Sequence, residues 1–154
     1  MKLAFVVQRY GTEILGGSEY HCRLVAERLA SKHDVEVLTT CARDYVTWKN
    51  ELPAGTEKVN GISVRRFPVS HERKPDDFGR RSLRVFEKPH SIADELGWLE
   101  SEGPASPELV NYVEQAAKDG TTVIGSTVDE AEKILRAESA KWKDVIEKAG
   151  IKME

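Results

Sequence analysis

The sequence predicts an α/β fold, a partial parallel sheet with an edge hairpin, closed by a long carboxyl-terminal helix. Three observations carry this reading. A strand, a glycine-rich loop, a helix and a second strand follow one another within about forty residues, which is the order of a right-handed βαβ unit. Asn60-Gly61 then separates two strand-like runs, the strongest short hairpin signal. Capped, 3.6-periodic segments fill the second half of the chain.

Taken in order, "LAFVV" at 3–7 is a continuous apolar run suited to a strand buried on both faces. From Ser18 the period changes, and Cys22, Val25, Ala26, Leu29 and Ala30 form one helical stripe. Ser18 is the expected N-cap, with Glu19 placed where a negative charge favours the helix dipole. "DVEVLTT" at 34–40 returns to strand composition. "CARDYVTWKNELPAG" is polar, holds Pro53 and Gly55, and reads as a loop.

In the second hairpin arm Ile62, Val64 and Arg66 share one face and Ser63, Arg65 and Phe67 the other. That arm is expected at the sheet edge. "HERKPDDFGRR" at 71–81 is dense in both signs of charge and reads as a mobile surface segment. A helix is expected after a Ser91 cap, with Ile92, Leu96 and Leu99 on one face. A second opens at Ser106-Pro107 and runs to Gly120 with Leu109, Val110, Val113, Ala116 and Ala117 together. "TTVI" then precedes a final helix whose stripe runs from Val128 to Ala149 and stops at Gly150.

The chain has 154 residues, a net charge of −3 and 32% charged residues. It is about one domain long, and neither a nucleic-acid-binding nor a disordered composition is indicated. The first apolar run is far shorter than the roughly twenty residues of a membrane span, and it lacks the flanks of a secretory signal. A cytoplasmic protein without a transmembrane segment is expected. Cys22 and Cys41 have no metal-ligand spacing and read as buried small hydrophobes.

Gly16, Gly17 and Ser18 lie where a βα loop would meet a helix start. Unsatisfied N–H groups and the helix dipole favour an anion there, and glycines admit it closely. The three spaced glycines of the dinucleotide fingerprint and the Walker lysine are both absent. Spacing alone leaves a phosphate loop and a plain chain reversal evenly matched. His21, one turn into the helix, is a candidate for a phosphate or sugar hydroxyl, against a solvated side chain. Arg9 and Tyr10 follow the strand and are placed to face a cleft. Arg65 and Arg66 are anion candidates, although charge on an edge strand also discourages pairing with other chains. Asp44 and Lys49 would serve a polar substrate or solvate the loop. No nucleophile–base set can be assembled, and Asp76-Asp77 has no enforced geometry.

Taken together, "MKLAFVVQRYG", "GGSEYHCRLVAERLA", "DVEVLTTCARDYVTW", "LPAGTEKVNGISVRRFPV" and "ELGWLESEGPASPEL" resemble the amino-terminal domain of family 4 retaining glycosyltransferases of the two-domain GT-B type. The likeness runs from Met1 to about Ala117, and the spacing of Gly16, Gly17 and His21 is its most specific element. It implies a Rossmann-like half that shapes the acceptor side. Gly16 and Gly17 would lie at the diphosphate of a nucleotide diphosphate-sugar, with His21, Arg9 and Tyr10 lining the cleft. Hexosyl transfer to a sugar or lipid-linked acceptor would follow, with no metal and no further cofactor.

The resemblance also has a gap. After Ala117 the family continues into further strands and a donor-binding domain, which are absent from this sequence. "GSTVDEAEKILRAESAKWKDVIEKAGIK" instead resembles the carboxyl-terminal end of tripartite-tricarboxylate-type solute-binding proteins. The expected division is therefore a truncated transferase-like domain at 1–117 and a tail at 118–154, catalytically incomplete alone. Transfer would require a separate donor-domain partner, and the tail helix would cover the exposed sheet face either within the chain or by pairing two chains as a homodimer. The alternative is a non-catalytic folding or interaction module with a structural glycine loop and an assembly helix. A solute binder inherited from the tail is the third and weakest reading, since that family's site residues are absent.

Overall fold

The computed structural model describes residues 2–119. Strands β1 (Lys2–Val6), β2 (Asp34–Thr40), β3 (Gly55–Val59) and β4 (Ile62–Phe67) and helices α1 (Gly17–Ala30), α2 (Pro75–Glu87), α3 (Ile92–Glu102) and α4 (Pro107–Lys118) follow the order β1-α1-β2-β3-β4-α2-α3-α4. The chain divides into two units, Met1–Gln115 and Ala116–Glu154. The sheet, the first three helices and most of α4 belong to the first unit. The expected "TTVI" strand, the final helix and the stop at Gly120 lie outside the described residues.

The fold is mixed α/β, with one four-stranded, mostly parallel sheet of order β1-β2-β4-β3. β1 and β2 run parallel with Leu3 opposite Val35 and Phe5 opposite Val37. β2 and β4 are also parallel, Val37 facing Val64. β3 returns antiparallel on β4, Val59 against Ile62. Asn60 (φ 49°) and Gly61 (φ 82°) both take positive φ, as a two-residue hairpin turn matched to right-handed strand twist requires.

One face of the sheet meets α1. Tyr10, Ala26, Val35, Val37, Ile62 and Val64 form the buried cluster there, flanked by Phe5, Cys22 and Leu29. Each such aliphatic side chain contributes about 1.5–3 kcal/mol on removal from water, which fixes the register of β4 because a one-residue slip would expose Ile62 and Val64. On the opposite face the Tyr112 ring of α4 lies 5.4 Å from the Phe67 ring and under the Arg65 guanidinium at 4.6 Å. Glu36 pairs with Arg65 at 3.4 Å.

Four expectations need correction. The second hairpin arm, β4, is interior, and β3 takes the edge, so Arg65 and Arg66 are not edge charges. β1 is not buried on both faces: Leu3 and Phe5 pack against the core cluster, while the alternate residues Ala4 and Val6 point to the other face and are exposed, Val6 at 57%. The cap of α1 is Gly16 in extended conformation, not Ser18. The 71–81 segment contains most of the first two turns of α2, which starts with Pro75 after Lys74 and carries Asp76 and Asp77 in its first turn. Pro at a helix start is preorganised for the helix. Its aromatic residues meet Trp98 of α3, Phe78 at 6.1 Å and Phe86 edge-on at 5.1 Å, while the Trp98 indole N–H donates to Ser82 Oγ at 3.1 Å.

The Ser91 cap is present as a full capping box. Ser91 Oγ accepts from the Asp94 N–H and Asp94 accepts from the Ser91 N–H. The Ile92, Leu96 and Leu99 face of α3 is exposed. The 41–54 connection is tied down by an Ala42–Asn50 bridge and by Trp48, whose indole N–H donates to the Glu102 carbonyl at 2.9 Å. Asp44 closes a turn by accepting from the Val46 and Thr47 N–H groups and the Thr47 hydroxyl. Burial pushes its carboxyl up, but those three bonds outweigh it and hold it below the ordinary carboxylate range. Among the described residues, no helix is long and apolar enough to cross a membrane.

Candidate functional site

The parallel strands β1 and β2 end beside a cleft of about 460 Å³. Val6, Val7, Gln8, Ser18 and Thr40 line it together with Pro104, Ser106, Leu109 and Val110. Ligands of open α/β sheets settle at such carboxyl ends. The strand ends are locked together there, because the Thr40 hydroxyl donates to the Gln8 carbonyl at 2.7 Å and accepts from the Ala42 N–H. Ser106 is buried and donates to the Pro68 carbonyl at 2.8 Å, which anchors the start of α4 over β4. The lining is mainly apolar.

The glycine loop stands at one side of this cleft. The first bond of α1 runs from the Tyr20 N–H to the Gly16 carbonyl at 2.9 Å, so the N–H groups of Gly17 and Ser18 precede the helical ladder. The two glycines differ. A Cβ on Gly16 would sit 2.2 Å from Glu19 Oε2 and 3.2 Å from an Arg9 nitrogen, whereas a Cβ on Gly17 meets nothing within 4 Å.

Glu19 is the residue the sequence did not single out as a site. It is buried, and its Oε1 accepts from Arg9 Nε at 2.9 Å and Nη2 at 2.5 Å, while the Ser18 hydroxyl donates to Oε2 at 2.8 Å. Burial pushes the Glu19 carboxyl up, but bonds from Ser18, from its own N–H and from Arg9 outweigh it and hold it down. A carboxylate thus sits at the positive end of α1. Arg9 is nearly buried too, donates to the Arg43 carbonyl at 3.3 Å and lies 5.3 Å over the Tyr45 ring.

The residues read from the sequence therefore divide. Arg9 and Gly16 are joined through Glu19. Gly17 and His21 are exposed and one turn apart on the same side of α1. Tyr10 has no exposed surface and lies in the core cluster. Lys49 is exposed. A separation of ten positions hides the Arg9–Glu19 pairing in the sequence; its only trace is an acidic residue in the first turn following a basic residue just past the strand. Among the described residues, no group of three or more His, Cys, Asp and Glu side chains could hold a metal ion.

No family model matches the chain, and no solved structure matches it significantly. Over 73 residues it is 37% identical to the uncharacterized glycosyltransferase MJ1607 of Methanocaldococcus jannaschii. That stretch is 46% of this chain and 16% of the relative, so the chain spans only a small part of that protein's length. A region of the chain is glycosyltransferase-like.

Proposed function

We propose that this chain is the acceptor-side, Rossmann-like amino-terminal part of a GT-B type retaining glycosyltransferase of family 4, which takes a hexosyl group from a nucleotide diphosphate-sugar. The observation that carries this reading is the pair of N–H groups of Gly17 and Ser18, ahead of the first helical bond beside a cleft at the ends of parallel strands. The partial likeness to a glycosyltransferase supports it. In this reading Gly17 and Ser18 donate to the diphosphate, and their fixed dipoles stabilise negative charge gathering on the leaving phosphate. His21, on the same exposed side of α1, contacts the phosphate or a sugar hydroxyl. Arg9 and Gly16 position the loop through Glu19. The apolar cleft wall receives the sugar or lipid-linked acceptor, and a donor domain supplied elsewhere completes catalysis.

Calorimetric titration with a nucleotide diphosphate-hexose tests this. The reading requires binding that the matching nucleoside does not share, and equal behaviour of the two ligands rejects it. A second reading, a non-catalytic module with a structural loop, draws on a separate fact: Gly16 is already required by the Glu19 carboxylate. That reading requires a loop insensitive to any diphosphate.

A further inference from the structure

The strand-end cleft has a wall without charge: among the described residues, none that lines it is Asp, Glu, Lys, Arg or His. Val6, Val7, Pro104, Leu109 and Val110 supply its apolar surface, and two of them, Val6 at 57% and Val110 at 52%, are open to solvent. At about 460 Å³ it falls within the range of small-molecule pockets, which are largely apolar with a few polar groups that set orientation. An apolar ligand body gains from covering such side chains. A charged group would lose water there and meet no counter-charge.

The few polar groups restrict the ligand further. Three lining residues carry hydroxyls, and each already donates its proton: Ser18 to Glu19 Oε2 at 2.8 Å, Thr40 to the Gln8 carbonyl at 2.7 Å and Ser106 to the Pro68 carbonyl at 2.8 Å. What remains on those oxygens is acceptor capacity, and Thr40 already uses part of its own on the Ala42 N–H. Gln8 is exposed, and its side-chain amide holds no partner among the described residues. One hydroxyl proton on a ligand finds an acceptor in this set. A whole sugar ring does not, because most of its hydroxyls would face Val and Leu side chains unpaired.

We propose that this cleft takes an uncharged alcohol with an apolar body, of alkyl, prenyl or aryl type, and that this alcohol is the acceptor. The acceptor role rests on the transferase reading; the binding does not. Ser18 joins the two, since it lines the cleft and its N–H is one of the pair that precedes the α1 ladder. On transfer, a bond forms between the alcohol oxygen and the anomeric carbon as the bond from that carbon to the diphosphate oxygen breaks. The diphosphate leaves with the electron pair and takes up the alcohol proton, so no further reactant is needed.

The test is methyl and amide NMR of the full chain, titrated with straight-chain alcohols from butanol to octanol, with heptyl methyl ether, methyl glucoside and octyl phosphate as comparisons. Saturable shifts are expected at the Val6, Val7, Leu109 and Val110 methyls, with affinity rising about fourfold for each added methylene, as burial of that group predicts. Heptyl methyl ether, an isomer of octanol without the donor, should bind about fivefold more weakly. Val110→Asp, at an exposed position, should weaken octanol binding by at least about tenfold. Alcohol shifts that do not saturate or ignore chain length overturn the proposal, as does an ether that matches octanol. Tighter binding of methyl glucoside than of octanol overturns it in favour of a polar acceptor, and tighter binding of octyl phosphate in favour of a lipid phosphate. Titration with a nucleotide diphosphate-hexose, read at the Gly17 and Ser18 amides, separates the two readings. A response there with none from the alcohols rejects the apolar acceptor and keeps the transferase, whereas alcohol binding without that response keeps the cleft site and rejects its acceptor role.

Discussion

The head of α1 and the α2–α3 hairpin use the same residue types to opposite effect. At α1 the pair Arg9–Glu19 is buried, 9% and 6% exposed at the side chains, and the carboxylate stands over a glycine that has no room for a Cβ. In the hairpin the pair Arg84–Asp94 is reached by solvent, with Arg84 69% exposed, and the apolar residues around it include the exposed Phe86, Ile92 and Leu96. Burial decides which charges hold structure. Geometry at α1 is specified by charge, and at α2–α3 by ring contacts around Trp98 and the Ser91 capping box.

The contrast breaks first at Arg9. Arg9→Met strands the Glu19 carboxylate and is expected to lower unfolding stability by about 3–5 kcal/mol, read by urea denaturation. Gly16→Ala should cost about 1–3 kcal/mol as an overpacking change, because Glu19 must leave its partners to make room. Combined with Arg9→Met it should cost less than the sum of the two, since both remove the same interaction; strict additivity would show that the glycine and the ion pair are unrelated.

In the hairpin, Ser91→Ala removes the α3 cap at about 1 kcal/mol. The smallest effect of the set is Gly17→Ala, expected to be neutral or stabilising by up to about 1 kcal/mol, since that position is open and helical. A large loss there would refute the distinction between the two glycines.

Acidity sharpens the same contrast. The Glu19 carboxyl is held below its ordinary value, so its contribution is present above the unfolded pKa and is lost as pH falls through the folded one. His90 is held up by its bond to the Lys88 carbonyl, then by Glu95. Its contribution is complete below the unfolded pKa and fades as pH rises through the folded one. His90 is solvated, so Arg9→Met should flatten the acid limb of the stability profile while His90→Ala leaves that limb in place. An acid limb unchanged by Arg9→Met would show that Glu19 does not set it.

Local chemistry made much of the fold readable. Asn60-Gly61 specifies its turn through two positive-φ positions, and the strand–helix–strand order of the first forty residues dictates the parallel β1–β2 pair. α2 escaped because its cohesion lies in contacts with Trp98, twelve to twenty positions away, while its own residues look like a solvated charge run. The interior place of β4 escaped because a hairpin signal names two strands without saying which one joins the sheet. At the candidate site the glycines were visible and Glu19 was not, since its meaning depends on Arg9 arriving from the other side of a loop. Tyr10 was read as facing a cleft, yet its ring completes the core and its hydroxyl is buried with it.

The division of labour between the two glycines is most directly tested by following the Gly16, Gly17 and Ser18 amide resonances during titration with inorganic pyrophosphate. The N–H groups ahead of the helical ladder should respond: Gly17 and Ser18 shift saturably. If Gly17 and Ser18 stay fixed throughout, the loop is a structural turn held by Arg9 and Glu19, and the phosphate-site reading fails.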